Sequence, residues 1–383
     1  MLVIENATVV DVDGARDGPL TIENGEVADI GETPDDPDTV IDGDGGVVAP
    51  GLVDSHVHIA MDGRPNTESV RSDSTPTLAY RAAKNLRETV EAGVTTVRDL
   101  GSPGTLGPDT RDAIADGSIP GPRVVPCGSP VVITGGHGHW FGREADGPAE
   151  VRKAVREQLK KGAEVVKTMA TGGVLTEGAE IGGFEMSPAE LDALVDAASA
   201  KGRPTAAHCH GATGIENAVR VGISSVEHGT FMDREAAELM AENDTYWVPT
   251  ASALSGITEN GSEAGIPKWA VEKAEQAAAA FEDAWDHALD AGVPIAMGTD
   301  AGTPFNHHRD AATELERMVE HGLSPEATFE AATVNAADLL GLDDVGRLEP
   351  GARADCVVLD SDPREDVSVY AAPKTVVANG VVV

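Results

Sequence analysis

Four histidines, one lysine and one aspartate stand where side chains from several chain segments could gather around a cation. His56 and His58 close the apolar run LVDSHVH; two residues apart on a strand they face the same side, so both imidazoles can reach one metal. Lys167 lies inside GAEVVKTMATGG, an otherwise apolar stretch. A buried unpaired ammonium is costly, so this lysine must be paired, neutralised or chemically modified. His208 ends another run, Glu227-His228 a further one, and Gly298-Thr299-Asp300 the last. Taken singly, each has an ordinary explanation: a solvent-facing histidine, or a lysine whose stem lies on apolar surface while its head reaches water. Their shared position at the ends of runs, in the order His-x-His, Lys, His, His, Asp, marks them as a ligand set.

The runs themselves number eight, at residues 52–57, 94–100, 123–127, 164–169, 204–208, 224–228, 245–249 and 294–299. Each is followed by a loop and then by an Ala-rich amphipathic stretch that stops near a glycine. Ser187, Pro188 and Glu190 supply an N-cap, a first-turn proline and a capping-box acid ahead of LDALVDAASAKG, with Gly202 as the stop. Ser324 and Pro325 open EATFEAATVNAADLLG in the same way, closed by Gly341. Strands alternating with helices pair in parallel, and eight such units predict a (β/α)8 barrel over residues 50–344, with chemistry at the carboxyl ends of its strands. Residues 1–49 and 345–383 instead alternate apolar and polar positions between Gly and Asp turns. They read as antiparallel strands, both termini building one small composite β-sandwich domain beside the barrel.

Composition narrows the function classes. Asp and Glu total 65 against 28 Lys and Arg, a formal charge of −37, which repels nucleic acid and anionic membranes. The acids are spread along the chain, a pattern expected of a protein adapted to high salt, where screening relieves self-repulsion. Aromatics are only 3%, so the core must be aliphatic, as suits a parallel barrel. No stretch of 18 apolar residues occurs, and the first residues lack the basic and apolar regions of a secretory signal; a cytoplasmic location is expected. Cys127, Cys209 and Cys356, odd in number and far apart, read as small buried hydrophobes.

The segments APGLVDSHVH, EAGVTTVRDLG, GAEVVKTMATGGV, AAHCHGATGIENAVRVGISSVEHGT, GTDAGTPFNHH, EATFEAATVNAADLLGL and GRLEPGARADCVVLD together resemble the amidohydrolase superfamily. Within it the chain is similar to the branch of Xaa-Pro dipeptidase-like and imidazolonepropionase-like enzymes. The resemblance implies that His56, His58 and Asp300 hold the more buried of two divalent metals and that His208 and His228 hold the more exposed one. It implies a Lys167 carbamylated by CO2, an anionic bridge between the two. A lysine here separates the binuclear peptidase-like members from imidazolonepropionases and mononuclear deaminases. Imidazole and carboxylate ligands favour zinc. Two such cations make a bridging hydroxide available near neutral pH, with Asp300 as general acid and base.

Further groups follow from the same resemblance. The loop Thr134-Gly135-Gly136-His137-Gly138-His139-Trp140 and a tyrosine of the seventh strand, here Tyr246, would hold substrate, His137 and His139 through their imidazoles. His208 is the expected ligand rather than His210, which either lines the pocket or is passive. Asn306, His307 and His308 shape the loop after Asp300, and His287 and His321 are expected on the surface. The implied activity is hydrolysis of a small amide, a dipeptide of the Xaa-Pro or Xaa-Arg/Lys kind. A cyclic amide, as in hydantoinases, dihydroorotases or imidazolonepropionases, is the enzymatic rival; a non-catalytic scaffold, which would lose ligands, is the other class. Relatives are often oligomeric, so a homo-oligomer is compatible with the chain.

Overall fold

The computed structural model describes residues 1–383. Seven parallel strands form its centre: β1 (Leu52–Val57), β2 (Val94–Asp99), β3 (Arg123–Pro126), β4 (Val166–Met169), β5 (Thr205–Gly211), β6 (Ser225–Phe231) and β7 (Tyr246–Val248). β1, β2 and β4 are buried at every position, so they show no polar alternation, as expected of strands covered on both faces. β1 pairs with β2 and β2 with β3; β4 pairs with β5, β5 with β6 and β6 with β7.

Two joints complete the circuit. The Glu164 amide donates to the Pro126 carbonyl at 2.8 Å, linking the entry to β4 with the end of β3. The eighth run, expected as a strand, is an extended segment held by single bridges. Trp247 donates to the Pro294 carbonyl and accepts from the Ala296 amide across one side, while Ser55 donates to Met297 and Asp300 to His56 across the other. Regular pairing fails there because Asp300 adopts a left-handed φ of 57° and Gly298 passes so near β1 that a Cβ would lie 2.9 Å from that of His56. The result is a mixed α/β fold of TIM-barrel type.

Helices cover the outside, and their starts follow the sequence signals. Ser187 and Glu190 form the expected capping box before Pro188–Ser199. The run opened by Ser324 and Pro325 is not one helix, however. It divides into Pro325–Ala331 and Val334–Leu340, because Thr333 leaves the helical region (φ −126°, ψ −93°) and its hydroxyl bonds the Phe329 carbonyl. His321 is half-buried rather than fully on the surface: its ring stacks on buried Trp285 with centroids 5.2 Å apart and an angle of 7°. His287 is half-buried as well. No helix is long and apolar enough to cross a membrane.

The terminal strands build two sheets. One has the order Glu26–Ile30, Leu20–Glu23, Leu2–Glu5, Thr39–Asp42. The other runs Val381–Val382, Thr375–Ala378, Cys356–Leu359, Val47–Pro50, Thr8–Asp11, Gly14–Asp17, so the two chain ends share a sheet. Its central joint is antiparallel, Cys356 opposite Pro50 and Leu359 opposite Val47. The expectation of purely antiparallel strands needs correction: Leu2–Glu5 with Thr39–Asp42, and Thr8–Asp11 with Val47–Pro50, are parallel pairs. Ile4, Val9, Leu20, Val48, Cys356 and Val358 meet in one apolar cluster between the sheets. Burial of each Val, Leu or Ile side chain contributes roughly 1.5–3 kcal/mol. All three cysteines are buried and free, as the sequence suggested.

Candidate active site

The ends of the central strands converge on one pocket of about 780 Å³. His56 lies in β1 and His58 directly after it; their Nε2 atoms face the Asp300 Oδ1 at 3.4 and 3.2 Å. Ligand atoms of these three residues fit within 4.8 Å of one another. His208 from β5 and His228 from β6 are neighbours, ring centroids 4.5 Å apart, and His228 lies 5.2 Å from His56. Lys167 from β4 completes the lining. All six residues expected as ligands therefore share the pocket.

Two of the six, and Thr250 beside them, are held in uncommon backbone conformations. His228, Thr250 and Asp300 have φ of 69°, 55° and 57°, each costing on the order of 1–3 kcal/mol for residues with a side chain. Surrounding bonds fix them. The His228 carbonyl accepts from the Trp247 indole, and the Asp300 carbonyl from the Thr303 hydroxyl.

A second layer orients the imidazoles through Nδ1. His56 Nδ1 donates to Glu227 at 2.9 Å, and His58 Nδ1 meets the Gly101 carbonyl at 3.3 Å. The Thr250 hydroxyl gives its proton to the Pro249 carbonyl, so its oxygen accepts from His228 Nδ1 at 2.7 Å. In each case Nδ1 carries the proton and Nε2 keeps its lone pair for the pocket. His137 and His210 are tied likewise, to Thr176 at 2.8 Å and to Thr230 at 2.7 Å.

Glu227 is itself held by Arg98, 3.0 Å away, and both are wholly buried inside the strands. Burial pushes the Glu227 carboxyl up, but Arg98, His56 and Lys167 outweigh it and hold the group down to about 2. Burial lowers His56 to about 4 and His137 and His210 to about 3, so these rings are neutral at neutral pH. Glu314, also buried, accepts from the amides of Ala251 and Ser252 at 2.8 and 2.7 Å and so anchors the turn that carries Thr250. Burial raises its carboxyl to about 7.

Other residues from the sequence reading fall as follows. His137 and His210 line the pocket; His210 stacks on His228 at 5.1 Å. His139 does not line it, and its Nδ1 is engaged by the Gly136 carbonyl. Tyr246 is not brought to the site. It opens β7, opposite Ser225, and so lies at the amino end of the strand, whereas the pocket is at the carboxyl end with Pro249 and Thr250. His308 bonds the Met61 carbonyl and Asn306 the Thr299 carbonyl, the loop-shaping roles expected. Arg98, Glu227, Thr250 and Glu314 had gone unassigned. A charged residue inside an apolar run, as in VTTVRDL and SSVEHG, was the available signal for the first two.

The donors suit divalent cations. Lys167 Nζ, His208 Nε2 and Asp300 Oδ1 are buried without a hydrogen-bond partner, and imidazole with carboxylate is a borderline-soft set that takes zinc, manganese, cobalt or iron. The profile of the amidohydrolase family matches residues 47–383. The chain belongs to the amidohydrolase family. This amidohydrolase is 34% identical over 367 residues to ochratoxinase of Aspergillus niger, covering 86% of this chain and 73% of that protein. It is 28% identical over 349 residues to imidazolonepropionase of Nocardia farcinica, covering 83% and 78%. Among solved structures it is similar to a Xaa-Pro dipeptidase with methionine bound in the active site, with a TM-score of 0.93 and 33% identity, covering 100% of this chain and 99% of that one. With such relatives, the protein is a hydrolase acting on carbon–nitrogen bonds.

Proposed function

We propose that this amidohydrolase is a two-metal hydrolase of small amides, with a dipeptide as substrate. The observation that carries the reading is Lys167: its amine is buried, unpartnered, and shares one pocket with four imidazoles and Asp300. Burial pushes this lysine below its usual range, which favours the neutral amine that adds to CO2. That addition would form a carbamate N–C bond, release one proton and give Lys167 an anionic oxygen pair able to ligate a cation. His56, His58 and Asp300 would hold one cation and His208 with His228 the other; zinc fits the donors best. Bound divalent cations supply an acidified water and a polarised carbonyl. Asp300 then takes the water's proton and passes it to the departing nitrogen, a task suited to a carboxylate facing two Nε2 atoms.

The rest of the pocket supports a preference among dipeptides. Phe141, Met169, Leu254 and Ile257 give an apolar wall, and Asp300 is the single carboxylate in the lining. An apolar or proline residue is better accommodated there than arginine or lysine, whose cation would lack a second acid. His137, its neutral imidazole fixed by Thr176 and lining the pocket, would bind the substrate's polar end. The presence of Lys167 favours this reading over an imidazolonepropionase-like ring opening, and six filled ligand positions disfavour a scaffold role.

Two further readings accompany it. Residues 1–49 with 345–383 form a composite β domain and 50–344 the catalytic barrel, consistent with the shared terminal sheet. The charge of −37 suits a salt-rich cytoplasm. Assay of a dipeptide library on protein of measured metal content tests the main proposal: hydrolysis confined to apolar or proline carboxyl-terminal residues is expected, and cleavage of cyclic amides alone would overturn it.

A further inference from the structure

Of the 28 Lys and Arg residues, 20 meet a carboxylate within 4.0 Å, as a chain with 65 acids would lead one to expect. Eight do not. Lys167 lines the catalytic pocket, and Lys273 bonds the carbonyls of Gly173 and Thr176 beside it. Of the remaining six, Arg156, Lys160, Lys201 and Arg203 line a single cleft, and Lys161 adjoins it in sequence. The cleft is open to solvent, with about 870 Å³ of space between its walls, and its one acid, Glu164, is already bound by Arg111 at 2.7 Å.

Four exposed cations gathered away from abundant acids repel one another, so their grouping calls for a counter-charge. Helix dipoles supply part of it. The helices Gly147–Lys160 and Pro188–Ser199 both end here, and their carboxyl ends welcome Lys160 and Lys201. Arg156, a full turn earlier, and Arg203, beyond the second helix, are not explained that way. Glu164 and Arg203 also precede β4 and β5, so the cleft opens at the amino ends of strands whose carboxyl ends carry the catalytic pocket.

From this placement we infer a second binding site, on the face opposite the catalytic pocket, for a small molecule bearing two phosphate groups. Two dianionic phosphates match four cations in charge, and the planar forks of Arg156 and Arg203 suit bidentate phosphate contacts. A nucleic-acid strand is disfavoured by the acidity of the surrounding surface.

Titration calorimetry of the full-length, metal-loaded protein with fructose 1,6-bisphosphate as probe, at fixed ionic strength, tests the site. One equivalent should bind at least tenfold more tightly than inorganic phosphate. The variant R156Q/R203Q should lose at least tenfold in affinity while amide hydrolysis and the melting temperature stay unchanged. Absence of binding would overturn the inference. So would undiminished binding by that variant, which would place the probe elsewhere, or equal binding of citrate, which would remove the assignment to phosphate.

Discussion

Replacing Glu227 with glutamine separates what the Arg98–Glu227–His56 chain does for stability from what it does for the metal site. Both charges are buried, with side chains 1% and 0% accessible, so losing the carboxylate leaves the Arg98 guanidinium uncompensated in the interior. Breaking a buried pair in this way costs about 3–5 kcal/mol. The glutamine oxygen can still accept from His56 Nδ1, but without charge, and loss of such an outer partner lowers metal affinity by about 10–100-fold. The double variant Arg98→Met/Glu227→Leu removes both charges together. It should regain most of the stability, since apolar replacement of a buried pair is often neutral, yet it should bind metal no better than Glu227→Gln because His56 remains unanchored. Urea unfolding in excess chelator reads the first quantity and competition with a metal indicator the second. A Glu227→Gln apoprotein within about 1 kcal/mol of the parent, or a double variant with parental metal affinity, would refute the reasoning.

Lys167→Ala should lose one bound metal per chain and reduce hydrolysis by more than about 100-fold, and intact mass of the parent should carry one CO2 that the variant lacks; a fully active variant would sink the catalytic assignment. Thr250→Val removes the acceptor of His228 Nδ1 and should weaken metal binding by about 10–100-fold, whereas Thr250→Ser should restore it; equal affinity in all three proteins contradicts the role given to Thr250. His137, His210 and His308 titrate near 3, 3 and 4 because burial disfavours their cations, against about 6.5 when unfolded. Their contribution is complete above pH 6.5 and is lost as pH falls from there toward 4, so the apoprotein should lose stability across that window; a flat profile argues against buried neutral imidazoles. The melting temperature should rise between about 0.1 M and 2 M KCl, and a constant value would remove the salt-adaptation reading.

The six residues proposed as ligands were legible as a group because metal chemistry needs particular residue types and a barrel needs them at strand ends. His56, His58, Lys167, His208, His228 and Asp300 each ended or interrupted an apolar run, and all six line the pocket. Tyr246 shows the limit of the resemblance: it was carried over as a substrate group although it stands at the start of the run 245–249, and it lies at the amino end of its strand, away from the pocket. The helix over 325–340 could not be divided by its periodicity, because the break at Thr333 comes from one hydroxyl bonding back to Phe329. Parallel pairing among the amino-terminal strands was likewise hidden, since alternation records which face is buried and not the direction of the neighbour. Glu314 acts through two backbone amides more than sixty positions away, a relation that no local pattern encodes.

The sheet shared by the two chain ends has a consequence for biosynthesis. Val47–Pro50 leaves the ribosome before any of the barrel, but its neighbour Cys356–Leu359 emerges only after the whole barrel segment has been made. Until then the nascent polypeptide carries an open β edge of VVAP, with every one of its four residues destined for burial. The barrel must therefore assemble beside an unfinished layer, and the last contacts to form are among the most distant in the chain. A ribosome stalled before Cys356 should hold a chain that engages holdase chaperones, and emergence of Cys356–Leu359 should free it.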